Sequence, residues 1–244
     1  MKDNYRVGTI VENNEISKNI FKIRLMGGFA GEPGQFYMLR GWEGTDPFLS
    51  RPISISDALD GELTMLYEVK GMGTHIISQL KEGDSLELLG PLGTGFPNVE
   101  GKRVAIVAGG IGIAPMLYLA KKLQSEADLF VGFRSGSYYT DEFKNYVKDI
   151  KISTEDGSIG HKGYVTEIFN PEDYDVVFSC GPMPMMNAVG NKCKGKTKVY
   201  VSLESHMACG IGICLGCTVP TVRGMERVCM EGPVFSAEEV LLGD

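Results

Sequence analysis

Between Tyr5 and about Pro97 the chain alternates short runs of β-branched and aromatic residues with turn signals. Arg6–Val11, Ile20–Met26, Gln35–Arg40, Pro52–Ser56, Leu63–Val69 and Ser85–Leu89 are the runs, separated by Gly27-Gly28, Glu32-Pro33-Gly34 and Asp60-Gly61 among others. Within Phe21-Lys22-Ile23-Arg24-Leu25 apolar and charged residues alternate, which implies one buried face. Six such strands predict a small antiparallel β-barrel. One helix, over about Thr74–Leu80, interrupts them.

From Lys102 the period changes. Arg103–Ala108 is a continuous apolar run after its first residue, as expected of a parallel strand buried on both faces. It leads through Gly109-Gly110-Ile111-Gly112-Ile113-Ala114-Pro115 into a helical run ending near Leu123. Apolar strands recur at Leu129–Phe133, Val176–Ser179 and Val199–Leu203, with helical segments expected between them. This alternation predicts a doubly wound parallel α/β domain. The expected organisation is a barrel over residues 1–99, an α/β domain over 100–203 and a small cysteine-loop domain over 204–244.

Composition narrows the class. A length of 244 residues suits about two domains and a small appendage. Glycine is abundant, at 32 residues, which fits tight turns and phosphate-binding loops. A net charge of −7 argues against a nucleic-acid surface. No apolar run approaches the roughly 20 residues needed to span a bilayer, and no apolar signal core follows Met1. A cytoplasmic protein without a membrane or nucleic-acid partner is the expectation.

The densest chemistry lies near the C-terminus. Cys209, Cys214, Cys217 and Cys229 are spaced C-x4-C-x2-C-x11-C, with Gly210, Gly212 and Gly216 between the first three. C-x4-C-x2-C followed by a distant cysteine is the plant-type ligand run for a 2Fe–2S cluster, although the last gap is short for a plant ferredoxin. Zinc favours C-x2-C pairs, of which only Cys214 and Cys217 form one. Two disulfides would require an oxidising compartment.

Other motifs are weaker taken singly. Arg51-Pro52-Ile53-Ser54 sets a cation suited to phosphate and a hydroxyl on one strand, which read alone is an ordinary edge strand. Gly71-Met72-Gly73-Thr74 opens a helix, and so offers free amides to an anion or simply makes a turn with Thr74 as N-cap. Gly110 and Gly112 belong to a G-x-G-x-x-P loop rather than a full dinucleotide fingerprint, with Pro115 suited to the first helical turn. Cys180-Gly181-Pro182 ends a strand where ligands of α/β sheets sit, and Arg134 follows another strand, within reach of an adenosine ribose or a 2′-phosphate. Cys193 lacks such a context, and His75, His161 and His206 make no case for acid–base catalysis.

Taken in order, Arg51-Pro52-Ile53-Ser54, Leu66-Tyr67-Glu68 and Gly73-Thr74 resemble the flavin domain of ferredoxin–NADP reductase-type flavoproteins. The resemblance implies FAD, with Arg51 and the helix start at Gly73-Thr74 on its pyrophosphate. It places Ser54 near the flavin N5, and Leu66, Tyr67 and Glu68 along the isoalloxazine and ribityl region. Gly90-Pro91-Leu92-Gly93 and Phe96 close the barrel in a similar way. The same resemblance makes Gly110 and Gly112 a nicotinamide-nucleotide loop and sets Cys180 facing the nicotinamide ring.

With the cysteine loop and the tail Val228-Cys229-Met230-Glu231-Gly232-Pro233-Val234-Phe235, the whole chain resembles electron-transfer subunits of the dihydroorotate dehydrogenase B type. That family implies a separate FMN-containing catalytic subunit oxidising dihydroorotate to orotate, in an assembly of two copies of each chain. Electrons then pass through the 2Fe–2S cluster and FAD to NAD+, within pyrimidine biosynthesis. The glycine-rich loop is expected near the surface, where the donor would dock. The alternatives are a subunit of another ferredoxin- or hydrogenase-linked NAD(P)H reductase and a non-catalytic zinc- or flavin-binding assembly module.

Overall fold

In a computed structural model describing residues 4–240, the N-terminal half closes into a barrel. Its strands are β1 (Tyr5–Ser17), β2 (Ile20–Met26), β3 (Phe36–Arg40), β4 (Arg51–Leu59), β5 (Glu62–Glu68) and, after helix α1 (Met72–Gln79), β6 (Ser85–Leu92). They run in the order β1-β2-β5-β4-β3-β6, every pair antiparallel. Alternate residues such as Ile23, Leu25, Leu63, Met65 and Tyr67 fill the interior.

Strand β1 extends six residues beyond the expected Val11, through the polar run Glu12-Asn13-Asn14. Asn13 explains why polar residues persist in a strand. Its side-chain amide donates to the carbonyls of Ile77 (2.8 Å) and Leu80 (2.9 Å), while its Oδ1 accepts from Tyr67 Oη (2.8 Å). One side chain thus closes the C-terminal end of α1 onto the barrel.

The second half is a sheet with helices on its two faces. It contains β7 (Glu100–Gly109), α2 (Ile113–Lys122), β8 (Gln124–Phe133), β9 (Asp149–Thr154), β10 (His161–Lys162), β11 (Val176–Cys180), α3 (Met183–Cys193) and β12 (Lys198–Ser202). Its order is β10-β9-β8-β7-β11-β12, all parallel. Val104, Ile106 and Ala108 pack with α2 on one face, while Ala105 and Val107 pack with α3 on the other.

Two expectations need correction. The links from β8 to β9 and from β9 to β11 carry 3-10 turns, at Thr140–Phe143, Val165–Glu167 and Pro171–Asp173, rather than α-helices. Ser135-Gly136-Ser137, Asp156-Gly157 and Asn170-Pro171 break helical periodicity there. Strand β9, missing from the expected set, alternates exposed and covered residues and carries polar Asp149, Lys151, Ser153 and Thr154.

The C-terminal segment forms a hairpin, β13 (Thr218–Thr221) with β14 (Gly224–Arg227), and then β15 (Val234–Ser236). Strand β15 joins the large sheet antiparallel to β12. Gly232 O accepts from Thr94 N (2.6 Å), and Thr94 Oγ1 donates to Met230 O (3.0 Å). Phe36, Met38 and Leu92 of the barrel share one core cluster with Val107 and Val201 of the sheet and Cys217, Val228 and Cys229 of the tail. The cysteine-bearing segment is therefore built into both larger units.

Candidate functional site

The flavin motif and the α1 N-terminus are brought together. Arg51, the first residue of β4, lies with its guanidinium 5.4 Å from the Trp42 ring centre, and it donates to Leu49 O. A Cβ on Gly73 would come within 2.5 Å of Arg51 Nε and 2.8 Å of Nη2, so only glycine allows this approach. Gly71 holds the cap position, and Thr74 stands in the helix rather than capping it. Its Oγ1 accepts from the Lys70 (3.1 Å) and Gly71 (3.3 Å) amides and donates to Gly71 O (3.1 Å). No acid occupies the first turn, so the positive end of the helix is unneutralised there.

Along β4 and β5 the pleat sorts the remaining flavin candidates. Pro52, Ile53 and Ser54 are half-buried, and Leu66 is covered while β5 lies against the 110–112 turn. The Tyr67 side chain points into the barrel, stacked on Phe21 with centroids 5.5 Å apart, and burial pushes its phenol far up. Only its backbone reaches the outer face, because its neighbours Met65 and Leu63 share its inward side. Glu68 pairs with Lys70 at 2.9 Å.

Gly110 and Gly112 lie in a 3-10 turn between β7 and α2, with Pro115 in the first turn of α2. Strand order reverses between β7 and β11, and ligands of open α/β sheets bind beyond the carboxyl ends at such a point. A Cβ on Gly112 would lie 2.3 Å from Cys180 O, so the two nucleotide motifs meet through their backbones. The Cys180 thiol is only 2 % exposed, and burial, then the Glu204 charge, pushes it far up. Its side chain belongs to the α2-side core, and the turn therefore offers a ligand its main chain rather than its sulfur. Cys193 is a core thiol in α3, pushed up to about 11 by burial.

Arg134, exposed just past β8, has a neighbour that motif reading missed. Asp156 donates its amide to Arg134 O (3.3 Å), and side-chain bonds from Ser158 and then Ser135 hold its carboxyl down to about 2. The usable signal was an acid one residue before a turn glycine, just past a sheet strand.

The four clustered cysteines are free thiols, with Cys209 in hydrogen-bonding reach of Cys214 and Cys217 of Cys229. Cys209 Sγ accepts from Cys214 N at 3.5 Å. Burial pushes its thiol up, but the amides of Cys214, Ile211 and Ile213, with the Cys214 side chain, outweigh this and bring it down to about 6. Cys217 and Cys229 are buried within hydrogen-bonding reach of each other, and burial and then the Cys217 sulfur push Cys229 up to about 12. Among the described residues no three His, Cys, Asp or Glu side chains surround a single ion position. A two-iron centre divides its four thiolates between two metals, and a two-plus-two donor set fits it. Cys214 is exposed, and its exposed apolar surround is Ile213 and Leu215 on either side in sequence, Met225 sharing a surface groove with Leu215, and Met230 against Gly212.

Also missed was Arg227, which donates to Glu231 and to Gly212 O (3.0 Å) in the cysteine loop. His161, in β10, bonds Glu167 at 2.8 Å on the surface. No helix among the described residues is long and apolar enough to cross a membrane.

A family model described as the iron–sulfur cluster binding domain of dihydroorotate dehydrogenase B matches residues 204–241. The chain is 52% identical over 248 residues to the dihydroorotate dehydrogenase B (NAD(+)) electron transfer subunit of Clostridium acetobutylicum, covering 100% of both. It is 43% identical over 243 residues to that of Clostridium perfringens, covering 97% of this chain and 98% of the relative. Among solved structures it superposes on an NADH-dependent reduced ferredoxin-NADP oxidoreductase with a TM-score of 0.87 and 29% identity, covering 96% and 89% of the two chains. Phthalate dioxygenase reductase, at 17% identity and a TM-score of 0.66 over 93% and 94% of the chains, shares the fold alone. Identity of this extent, running end to end, makes the chain a member of the family of electron transfer subunits of dihydroorotate dehydrogenase B (NAD(+)).

Proposed function

We propose that this chain carries electrons from an FMN-containing dihydroorotate dehydrogenase catalytic subunit to NAD+, using a 2Fe–2S cluster and FAD, in pyrimidine biosynthesis. When bound, the cluster exchanges single electrons, and FAD stores two and passes them on as a hydride. The observation that carries this reading is the two-plus-two set of thiols on a loop packed against the barrel, with Gly210 seated on Met38 of β3.

The chain's residues provide position and charge rather than a general acid or base. Cys209, Cys214, Cys217 and Cys229 would hold the irons. Arg51 and the α1 amides beside Gly73 and Thr74 would hold the FAD pyrophosphate, each supplying a donor to the same anion. Pro52, Ile53, Ser54, Leu66, Glu68 and the Tyr67 backbone would line the flavin. Gly110, Gly112 and the Cys180 main chain would receive the nicotinamide nucleotide at the switch point. Asp156 beside Arg134 suits a ribose hydroxyl better than a 2′-phosphate, in keeping with NAD. The ranges 1–99, 100–203 and 204–244 serve as flavin, nucleotide and cluster units, the last sharing β15 with the second.

The exposed apolar surround of Cys214 is the docking face for the catalytic subunit, in a heterotetramer of two copies of each chain. Six unpaired cysteines support a reducing, cytoplasmic setting. A second reading, a subunit of another ferredoxin-linked reductase, draws on the 0.87 superposition. Anaerobic co-expression with an FMN-type dihydroorotate dehydrogenase separates the two. The first reading expects a stable complex with flavin and iron–sulfur absorption that reduces NAD+ with dihydroorotate. Fully loaded chains that neither associate nor show this activity would defeat it.

A further inference from the structure

The Arg227–Glu231 pair touches the cysteine loop from behind. Arg227 Nε donates to Glu231 Oε2 (3.0 Å), Nη2 donates to Oε1, and the Arg227 amide donates to Oε2 (2.8 Å). Nη1 of the same guanidinium donates to Gly212 O (3.0 Å), fifteen residues away in sequence. Gly212 sits at φ +79, and a Cβ there would come 2.5 Å from Met230 Cγ and 3.2 Å from Arg227 Nη1. The loop backbone is thus pressed onto this pair.

The direction of the Gly212 carbonyl matters because a trans peptide is planar, with C=O and N–H pointing opposite ways. The N–H across that peptide belongs to Ile213, and it points at Cys209 Sγ. The N–H of Gly212 itself points at Cys229 Sγ. Anchoring the Gly212 carbonyl from outside therefore aims the Ile213 amide at Cys209, while the Gly212 amide belongs to the preceding peptide. The Arg227 guanidinium also interacts electrostatically with Cys229 and Cys217.

We propose that Arg227 is a positioning residue for the cluster, which fixes the Ile213 amide on Cys209 through the Gly212 carbonyl and, balanced by Glu231, sets the cluster's reduction potential. Reduction adds one electron and so one negative charge. Amide donors and a nearby cation stabilise the reduced form and raise the potential, whereas the Glu231 carboxylate lowers it. The two side chains therefore act with opposite signs although they form one ion pair. The inference rests on the four cysteines holding a 2Fe–2S cluster, and iron and acid-labile sulfide in the wild-type chain test that reading separately.

The experiment is an anaerobic redox titration of the full-length, cluster-loaded chain, followed by the low-temperature electron paramagnetic resonance signal of the reduced cluster. Arg227→Met removes anchor and cation and should lower the reduced-to-oxidised ratio at a fixed poise about tenfold, equivalent to about 59 mV for one electron. Arg227→Lys retains the charge without the fork and should show part of that fall. Glu231→Gln leaves the guanidinium unbalanced and should shift the ratio the other way. Reduced cluster content with an unchanged potential in the loaded fraction would mean that the pair merely supports the loop, and would overturn the proposal. Shifts of the same sign in Arg227→Lys and Glu231→Gln would also overturn it, and these two variants remain decisive if Arg227→Met fails to load.

Discussion

Gly73 ties a single missing side chain to ligand binding. An alanine there would improve helix propensity by about 1 kcal/mol, and the Arg51 guanidinium it meets is the movable end of a long side chain. Gly73→Ala should accordingly leave thermal stability unchanged or higher while lowering flavin affinity at least about tenfold, roughly 1.4 kcal/mol. Flavin-to-protein ratio after gel filtration, read beside the melting temperature, checks the split. The thiols give a second residue-scale test. In the apo-chain at pH 8, alkylation should reach Cys209, with its lowered thiol, and exposed Cys214 first and spare Cys180 and Cys193 until the protein is unfolded. For Cys193, raised from about 9 to about 11, the protonated and unreactive form predominates below pH 9, and reactivity appears as pH rises towards 11. Peptide mapping by mass spectrometry reads both outcomes. The ligands themselves were legible because cysteine and glycine spacing is local. The inward turn of Tyr67 and the cover over Cys180 were not, since each depends on strands distant in sequence.

At the scale of elements, strong alternation was readable and polar strands were not. The β2 limits Ile20–Met26 agree at both ends with the pattern of apolar and charged residues, because one face fills the barrel. The second half of β1 and all of β9 escaped notice, since Asn13 is satisfied by remote partners and β9 alternates only weakly. Strand β15 has three residues, and its reason to be extended is the edge of β12. Phe235 on that strand is 3 % exposed in the cluster shared by barrel, sheet and tail. Phe235→Ala should cost about 3–5 kcal/mol, measured as a fall in the urea midpoint. The loss should appear in one cooperative transition, because the residue belongs to all three parts. A separate early transition confined to the C-terminal segment would contradict this view of the fold.

For the whole molecule, the arrangement runs from an exposed cysteine loop, over the barrel, to the switch point of the parallel sheet. The apolar surround of Cys214 marks the outer end of that line. Met225, 64 % exposed on the β13–β14 hairpin, lies in this surround, lining a groove with Leu215. Met225→Glu should weaken association with the catalytic subunit by about tenfold or more while leaving flavin and iron content unchanged, as read by sedimentation and by cofactor analysis. Unaltered association would move the docking face elsewhere on the chain.

The relay itself is tested most directly by opening it at one ligand. In the complex with the catalytic subunit, Cys217→Ser should abolish dihydroorotate-dependent NAD+ reduction while retaining NADH-dependent dye reduction through the flavin, both measured anaerobically on the same preparation. A cluster-free Cys217→Ser complex that still reduces NAD+ with dihydroorotate at the wild-type rate would contradict the account.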